Sequence, residues 1–481
     1  MTRPAGDTIE ATVSPQKVDR PRSVVALVIA LLAACTAFQL NASMLSPVLV
    51  VMGRELHADQ VDVGLSQTAF YTGTAIFGLF LPRLSDIVGR RRILLGMMAV
   101  MIVGEILAAL APDMTVLIIA RGIQGVTGAV VPICLMVLRD EVRDPRRYGT
   151  LMGVVTAVNG GIAGIDAIAG GMLGTTLGFR SVFWVIAAVG VVAMAFCYFG
   201  VPESRPSRGV RMDWYGVLLL AGVVFLFQSA VNEMGKGRSA DWALIAALCA
   251  GGIICGAVFW RIEGRVAQPL ASPALLKRRA TWATVATTVL TLAGVIAAVN
   301  GIAMSIAQDT VTGFGLGADS ASLLLLTPYA LLGWFVAPFA GRLASVVGYR
   351  TILRIGLAGS VVGIVGLAMF STRGLVFLVG ATLLLGVVYA GMANIMLNGL
   401  GVVLSPPGNP GFLPGLNSAG FGLGAGLSFA ILPAVQAAMG PHGGSSHAGY
   451  TAALLVGAAI MALALLMSLL IPRPVDAETA D

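Results

Sequence analysis

A helix needs about twenty consecutive apolar residues to cross the hydrocarbon core of a bilayer, and this sequence supplies such runs repeatedly. They lie near 23–49, 63–83, 92–111, 115–138, 149–174 and 180–201, then 214–234 and 241–262. Six more follow near 281–307, 319–341, 351–371, 374–403, 411–437 and 449–471. The pattern is six, two and six, and it predicts an all-α membrane protein of about 14 transmembrane spans. Charged residues make up only 11% of the chain and mean hydropathy is +0.90. A soluble chain carries roughly a quarter charged residues, so lipid must be the main solvent here. The run that begins at Ser23 outlasts a signal-peptide core and lacks a small-residue cleavage site, so it reads as a retained first span.

The formal charge of +7 is distributed as a topology signal rather than as a nucleic-acid footprint. Basic residues gather in short loops on alternate sides of the apolar runs: Arg90, Arg91 and Arg92; Arg139, Arg143, Arg146 and Arg147; Arg205, Arg208 and Arg211; Lys277, Arg278 and Arg279; Arg342 and Arg350. By the positive-inside rule these loops and both termini are cytoplasmic. The expected organisation is a disordered cytoplasmic tail (1–22), an N-terminal six-helix bundle (23–202), and a linker with two accessory transmembrane helices (203–280). A C-terminal six-helix bundle (281–472) and a short cytoplasmic tail (473–481) complete it.

The two six-helix sets also echo each other. Between the second and third runs stand Pro82, Leu84, Asp86, Gly89, Arg90 and Arg91; at the matching place in the last six stand Gly341, Leu343, Ser345, Gly348 and Arg350. Duplicated bundles are what alternating access uses, one rocking against the other around a midplane site.

On these residues the chain resembles the major facilitator superfamily, in its fourteen-span branch of drug–proton antiporters, from about Ser23 to Pro472. Leu84, Asp86, Gly89, Arg90 and Arg91 match the superfamily's loop signature, with Pro82 where glycine is usual. The resemblance makes this loop a conformational switch. Arg121, Gln124, Gly125 and Gly128 look like an element of the fourth span, where the resemblance implies a part in proton coupling. A charge at membrane depth is costly and faces the bundle interior by default; the alternative is an arginine that is structurally paired or snorkels. Met212, Asp213, Trp214 and Gly216 resemble the start of the extra helix pair.

Two departures from that branch stand out. The antiporters usually carry glycine–proline where this chain has Asp166 and Ala167, so a helix kink is lost and an acid is gained. The first span has Asn41 where the exporters usually have an acid, and an amide cannot carry a proton. Proton coupling then falls to Asp166, Arg121 and Glu105. Asp166 is otherwise structural glue, and Glu105 otherwise a protonated packing residue.

Candidate lining residues of the substrate cavity are Gln39, Asn41, Ser43, Gln124, Asn159, Asn300, Asn394, Asn398 and Asn417; each is otherwise an interhelical hydrogen-bond partner. Cys35, Cys134, Cys197, Cys249 and Cys255 lie within apolar runs without metal-ligand spacing, so no metal is expected. There is no nucleophile–base pair and no nucleotide-binding G-x-x-x-x-G-K-[ST] motif, so the chain is not expected to be an enzyme or to bind a cofactor. The expected function is secondary active transport in the cell membrane, with the proton gradient as energy source. Its first form is export of a lipophilic or cationic small molecule, a drug or a metabolite; the alternative is proton symport or facilitated uptake of a small metabolite. A membrane-embedded enzyme or a non-transporting sensor is the reading from another class. The resemblance implies a monomer.

Overall fold

The computed structural model describes residues 23–142, 144–204, 212–236, 239–266, 273–405, 412–439 and 446–473. The expected tail 1–22, Arg143, and the basic stretch containing Arg205, Arg208 and Arg211 lie outside the described residues, as does the tail beyond Arg473. Among the described residues, fourteen long helices follow in order: α1 (Val24–Glu55), α2 (Gln60–Val88), α3 (Arg90–Ala109), α4 (Met114–Glu141), α5 (Pro145–Leu177), α6 (Phe179–Gly200) and α7 (Trp214–Met234). The rest are α8 (Trp242–Glu263), α9 (Arg279–Gln308), α10 (Ala318–Ala344), α11 (Tyr349–Arg373), α12 (Leu375–Val403), α13 (Phe412–Ala438) and α14 (His447–Ser468).

Twelve of them are long and apolar enough to cross a membrane. The other two, α2 and α5, are long but more polar, with an apolar stretch in α5 confined to Ile162–Leu177. The polarity of α2 has a structural cause. Its Ser66, Gln67, Thr68, Thr72 and Thr74 are buried inside the protein, where they meet other helices rather than lipid. Helix α2 packs most extensively against α13 and also against α4, so it joins the first six helices to the last six. Helices α7 and α8 pair with each other, and α7 touches α2 and α13 along that seam.

Several helices are irregular. In α1 a 3₁₀ turn at Ser46–Val48 takes Pro47 without breaking the chain direction, because a proline in a first turn costs no helical hydrogen bond. The helix therefore runs on to Glu55 instead of ending near 49. A second 3₁₀ turn, Gly125–Ala129, lies in α4. Among the last six helices, α9, α10 and α12 carry π-helical segments at Ala298–Ala303, Ser322–Leu326 and Gly386–Ala393. Such segments free backbone groups and concentrate at functional positions.

The loop after α2 turns on Gly89, whose φ of 116° is a conformation other residues rarely adopt. Its counterpart in the second set, Gly348, has φ 91°, so the repeat seen in sequence is a repeat of backbone geometry.

Candidate functional site

Arg121 is 1% exposed, in the middle of the helical assembly. A buried guanidinium is tolerated only with several acceptors, and three helices supply them. Its Nη1 donates to Asn41 Oδ1 on α1 at 2.6 Å and to Gln124 Oε1 one turn along at 2.6 Å. Its Nη2 donates to Gln67 Oε1 on α2 at 3.2 Å. The face of Phe70 lies 4.2 Å from the guanidinium carbon, a cation–π contact. Asn41 thus stands where the family's acid is usual, but as a neutral acceptor. Glu105 on α3 is fully buried, both its carboxylate oxygens lack a hydrogen-bond partner among the described residues, and it interacts electrostatically with Arg121.

Asp166 belongs to a second polar group. Ser43 donates to its Oδ2 at 2.5 Å, and Gln39 Nε2 donates to Ser43 Oγ at 2.9 Å. The other carboxylate oxygen, Oδ1, is buried without a partner. Neighbouring positions of α1 therefore serve two different neighbours: Asn41 faces Arg121, and Ser43 faces Asp166. The two charged groups do not bond each other; each is held by amides or hydroxyls.

The remaining candidates divide. Asn417 is buried and committed, accepting from Thr288 at 2.6 Å and donating to Leu397 O at 3.3 Å. Asn300 is half-buried in the π segment of α9, bonded to Ile296 O. Asn394 is half-buried with Oδ1 unpaired, while Asn398 is exposed and donates to Asn394 O. The side chain of Asn159 lies outside the described residues.

Residues that sequence reasoning passed over complete the middle of the protein. Tyr71 on α2 stacks on Phe429 of α13 with centroids 6.0 Å apart, and both Tyr71 and Tyr329 lie within electrostatic reach of Tyr389. The spacing of Gln67, Tyr71 and Thr74 on α2, at i, i+4 and i+7, was the available signal.

In the α2–α3 loop, Arg90 bridges Asp86 (2.9 Å) and Asp140 of α4, and donates to Met136 O. Arg91 donates to Tyr198 O, and Leu84 packs on the core of the first helices. These contacts tie the loop to α4 and α6.

At the end away from the basic loops, the two helical sets lock together. Gln308 Nε2, at the end of α9, donates to Pro47 O on α1 at 2.9 Å, while Arg54 Nη2 donates to the Gln308 backbone carbonyl at 3.3 Å. Deeper in, Thr327 Oγ1 donates to Gly164 O and Thr68 Oγ1 to Gly426 O. Backbones approach so closely that a Cβ added at Gly171 would lie 2.7 Å from Ala318 O, and one at Gly64 2.6 Å from Phe429 O.

Comparison with known proteins fits this architecture. Residues 29–429 match the family profile described as Major Facilitator Superfamily. The Uridine/deoxyuridine transporter of Lactococcus lactis subsp. cremoris is 44% identical over 474 residues, spanning 98% of this chain and 99% of the relative. The Multidrug resistance protein Stp of Mycobacterium tuberculosis is 28% identical over 381 residues, spanning 77% of this chain and 68% of the relative. Among solved structures, the nucleoside transporter NupG superposes with a TM-score of 0.62 at 11% identity, covering 93% of this chain and all of that one. The human organic anion transporter MFSD10 gives the same TM-score at 16% identity, covering 92% of this chain and 98% of that one. The chain belongs to the Major Facilitator Superfamily, as a multi-pass membrane transporter and not an enzyme.

Proposed function

We propose that this transporter takes up an uncharged pyrimidine nucleoside of the uridine type, driven by protons and by alternating access. The single observation that carries the reading is the 44% identity, end to end, with a uridine/deoxyuridine transporter. The drug-resistance relatives match at lower identity or over about half the chain, so uptake of a metabolite is better supported than export of a lipophilic cation.

The site chemistry supports the same reading. A cationic drug calls for a fixed anion, and α1 offers the amide Asn41, already engaged by Arg121. Uridine carries no charge but presents ring carbonyls, an N–H and sugar hydroxyls. Half-buried Gln39, Asn300 and Asn394 present matching amides, and Tyr71 and Phe429 present aromatic faces. All fourteen helices span the membrane, with both termini cytoplasmic. On that topology we read the closed end as external and the arrangement as inward-facing.

In this scheme Asp166 carries the proton. When it is protonated, its hydrogen bond from Ser43 is exchanged for one it donates, α1 and α5 are freed from a charge at membrane depth, and the bundles can rock. Arg121, bonded to Asn41, Gln124 and Gln67, ties α1, α2 and α4 together beside the buried Glu105. The Arg90–Asp86–Asp140 cluster fixes the cytoplasmic loop in the inward-facing state.

The test is uptake of radiolabelled uridine by cells that lack their own nucleoside transporters, with and without a protonophore. Saturable uptake abolished by the protonophore is expected. Absence of uridine uptake in cells that extrude puromycin or a lipophilic cation would overturn the reading in favour of export.

A further inference from the structure

At the closed end, a cavity of about 320 Å³ lies between the two helical sets. One wall carries Arg54, His57 and Gln60, and the other Ser305, Asp309 and Tyr450. The volume is at the lower end of small-molecule pockets. Below it, a neck of only about 20 Å³ is lined by Gln60, Ser305 and Gln436, and holds at most a water molecule or so. Gln436 is 1% exposed, and both polar atoms of its amide are buried without a partner among the described residues. The cavity therefore narrows at these amides, and on the topology proposed above its mouth faces outside.

Its walls are chemically matched to a neutral guest. Asp309 accepts from Val311 N (2.8 Å), Thr312 Oγ1 (2.5 Å) and Tyr450 Oη (2.9 Å). Burial alone would raise its pKa, but these hydrogen bonds outweigh it and bring it to about 2, so the carboxylate is a permanent anion. The Arg54 guanidinium stands opposite, and the pair cancels. A cavity with balanced charge and spare amide and hydroxyl groups favours an uncharged polar molecule over an ion.

The two walls come from helices that must part when this end opens, because the Gln308–Pro47 and Arg54–Gln308 hydrogen bonds join them. A ligand that touches both walls binds the closed arrangement better and, by linkage, holds it closed. We propose that this cavity is a second nucleoside site, filled from outside only in the inward-facing state, where it delays return to the outward-facing state. The inference rests on the nucleoside reading above. Its consequence is inhibition of uptake by excess external substrate.

The test is initial uridine uptake over a wide range of external concentration, in the whole transporter and in Gln60→Leu, Gln60→Trp and Ser305→Phe. The readout is the ratio, within each protein, of the peak rate to the rate at about a hundredfold higher concentration, so general losses of activity cancel. In the wild type the rate rises and then falls, dropping to about half when the external concentration equals the dissociation constant of this cavity. The fall is expected to vanish in the two cavity-filling variants and to move to higher concentration in Gln60→Leu. Simple saturation in the wild type overturns the second site while leaving the nucleoside reading intact, as does a fall that is unchanged in all three variants. No uridine uptake by the wild type overturns both.

Discussion

Gln308 is the residue on which closure of the end away from the basic loops can be tested most sharply. It is 3% exposed, and its amide crosses from α9 to the Pro47 carbonyl of α1 at 2.9 Å. Gln308→Leu keeps the volume and removes that bond. The backbone carbonyl that receives Arg54 remains. Losing an intramolecular hydrogen bond costs about 1 kcal/mol, and leaving the buried Pro47 carbonyl unpaired raises the cost to about 3 kcal/mol. The penalty falls only on the closed state, because in the open state the bond is absent and water can reach the carbonyl. The ratio of protein open to protein closed at this end should therefore rise by a factor between about 5 and about 150. Spin labels at His57→Cys and at exposed Val311→Cys, in a background with the five native cysteines replaced, report the width of this mouth by pulsed dipolar spectroscopy. A long-distance population appearing in Gln308→Leu is the expected result. An unchanged distance distribution in folded protein would refute the assignment of this contact as the closure.

Three further predictions follow from the buried charges. Asp166→Asn keeps a group that Ser43 can bond but cannot carry a proton, so it should abolish gradient-driven accumulation while uridine exchange at equal pH persists; retained uphill transport would remove Asp166 from the coupling. Arg121→Leu removes the donor on which the side-chain oxygens of Asn41, Gln124 and Gln67 converge, and leaving such buried acceptors unpaired costs about 1–3 kcal/mol each, read as a clear drop in melting temperature. Arg121→Lys should not restore it, because one ammonium cannot span acceptors on α1, α2 and α4; a wild-type melting temperature in Arg121→Lys would contradict the forked geometry. Asp309 has its pKa depressed to about 2, so its contribution is complete above the ordinary carboxylate value of about 4 and is lost only as pH falls towards 2. The spin-label distances at the mouth should therefore not change between pH 5 and 8, and a change in that window that disappears in Asp309→Asn would contradict this.

The long helices were legible because hydrocarbon thickness imposes a length that composition reveals directly, and twelve of the fourteen expected runs are apolar and long enough to cross a membrane. The expected runs 92–111 and 180–201 correspond to Arg90–Ala109 and Phe179–Gly200. Boundaries slipped where polar ends continue a helix: the second run, expected at 63–83, is a helix from Gln60 to Val88, capped by the Asp59 carboxylate on Asp62 N. The loop signature was legible because its residues are four apart, as Asp86 and Arg90 are. The partners of Arg121 and Asp166 were not. Asn41 is 80 residues from Arg121, Gln67 is 54 away, and Ser43 is 123 residues from Asp166, and periodicity carries no information across such distances. The π segments of α9, α10 and α12 arise from packing against neighbours, and no local pattern announces an added residue in a turn. Asn417 illustrates the limit for single polar residues: its sequence setting matched that of Asn394, yet Thr288 and Leu397 take up its hydrogen bonds.

On the proposed function, this transporter carries an uncharged nucleoside inward. Purified protein in liposomes, given radiolabelled uridine outside and an imposed pH gradient acid outside, tests it without interference from metabolism. The expected result is accumulation above the equilibrium level, competition by deoxyuridine, and loss of accumulation when the gradient is collapsed. No uridine uptake by folded protein, with or without the gradient, would contradict it.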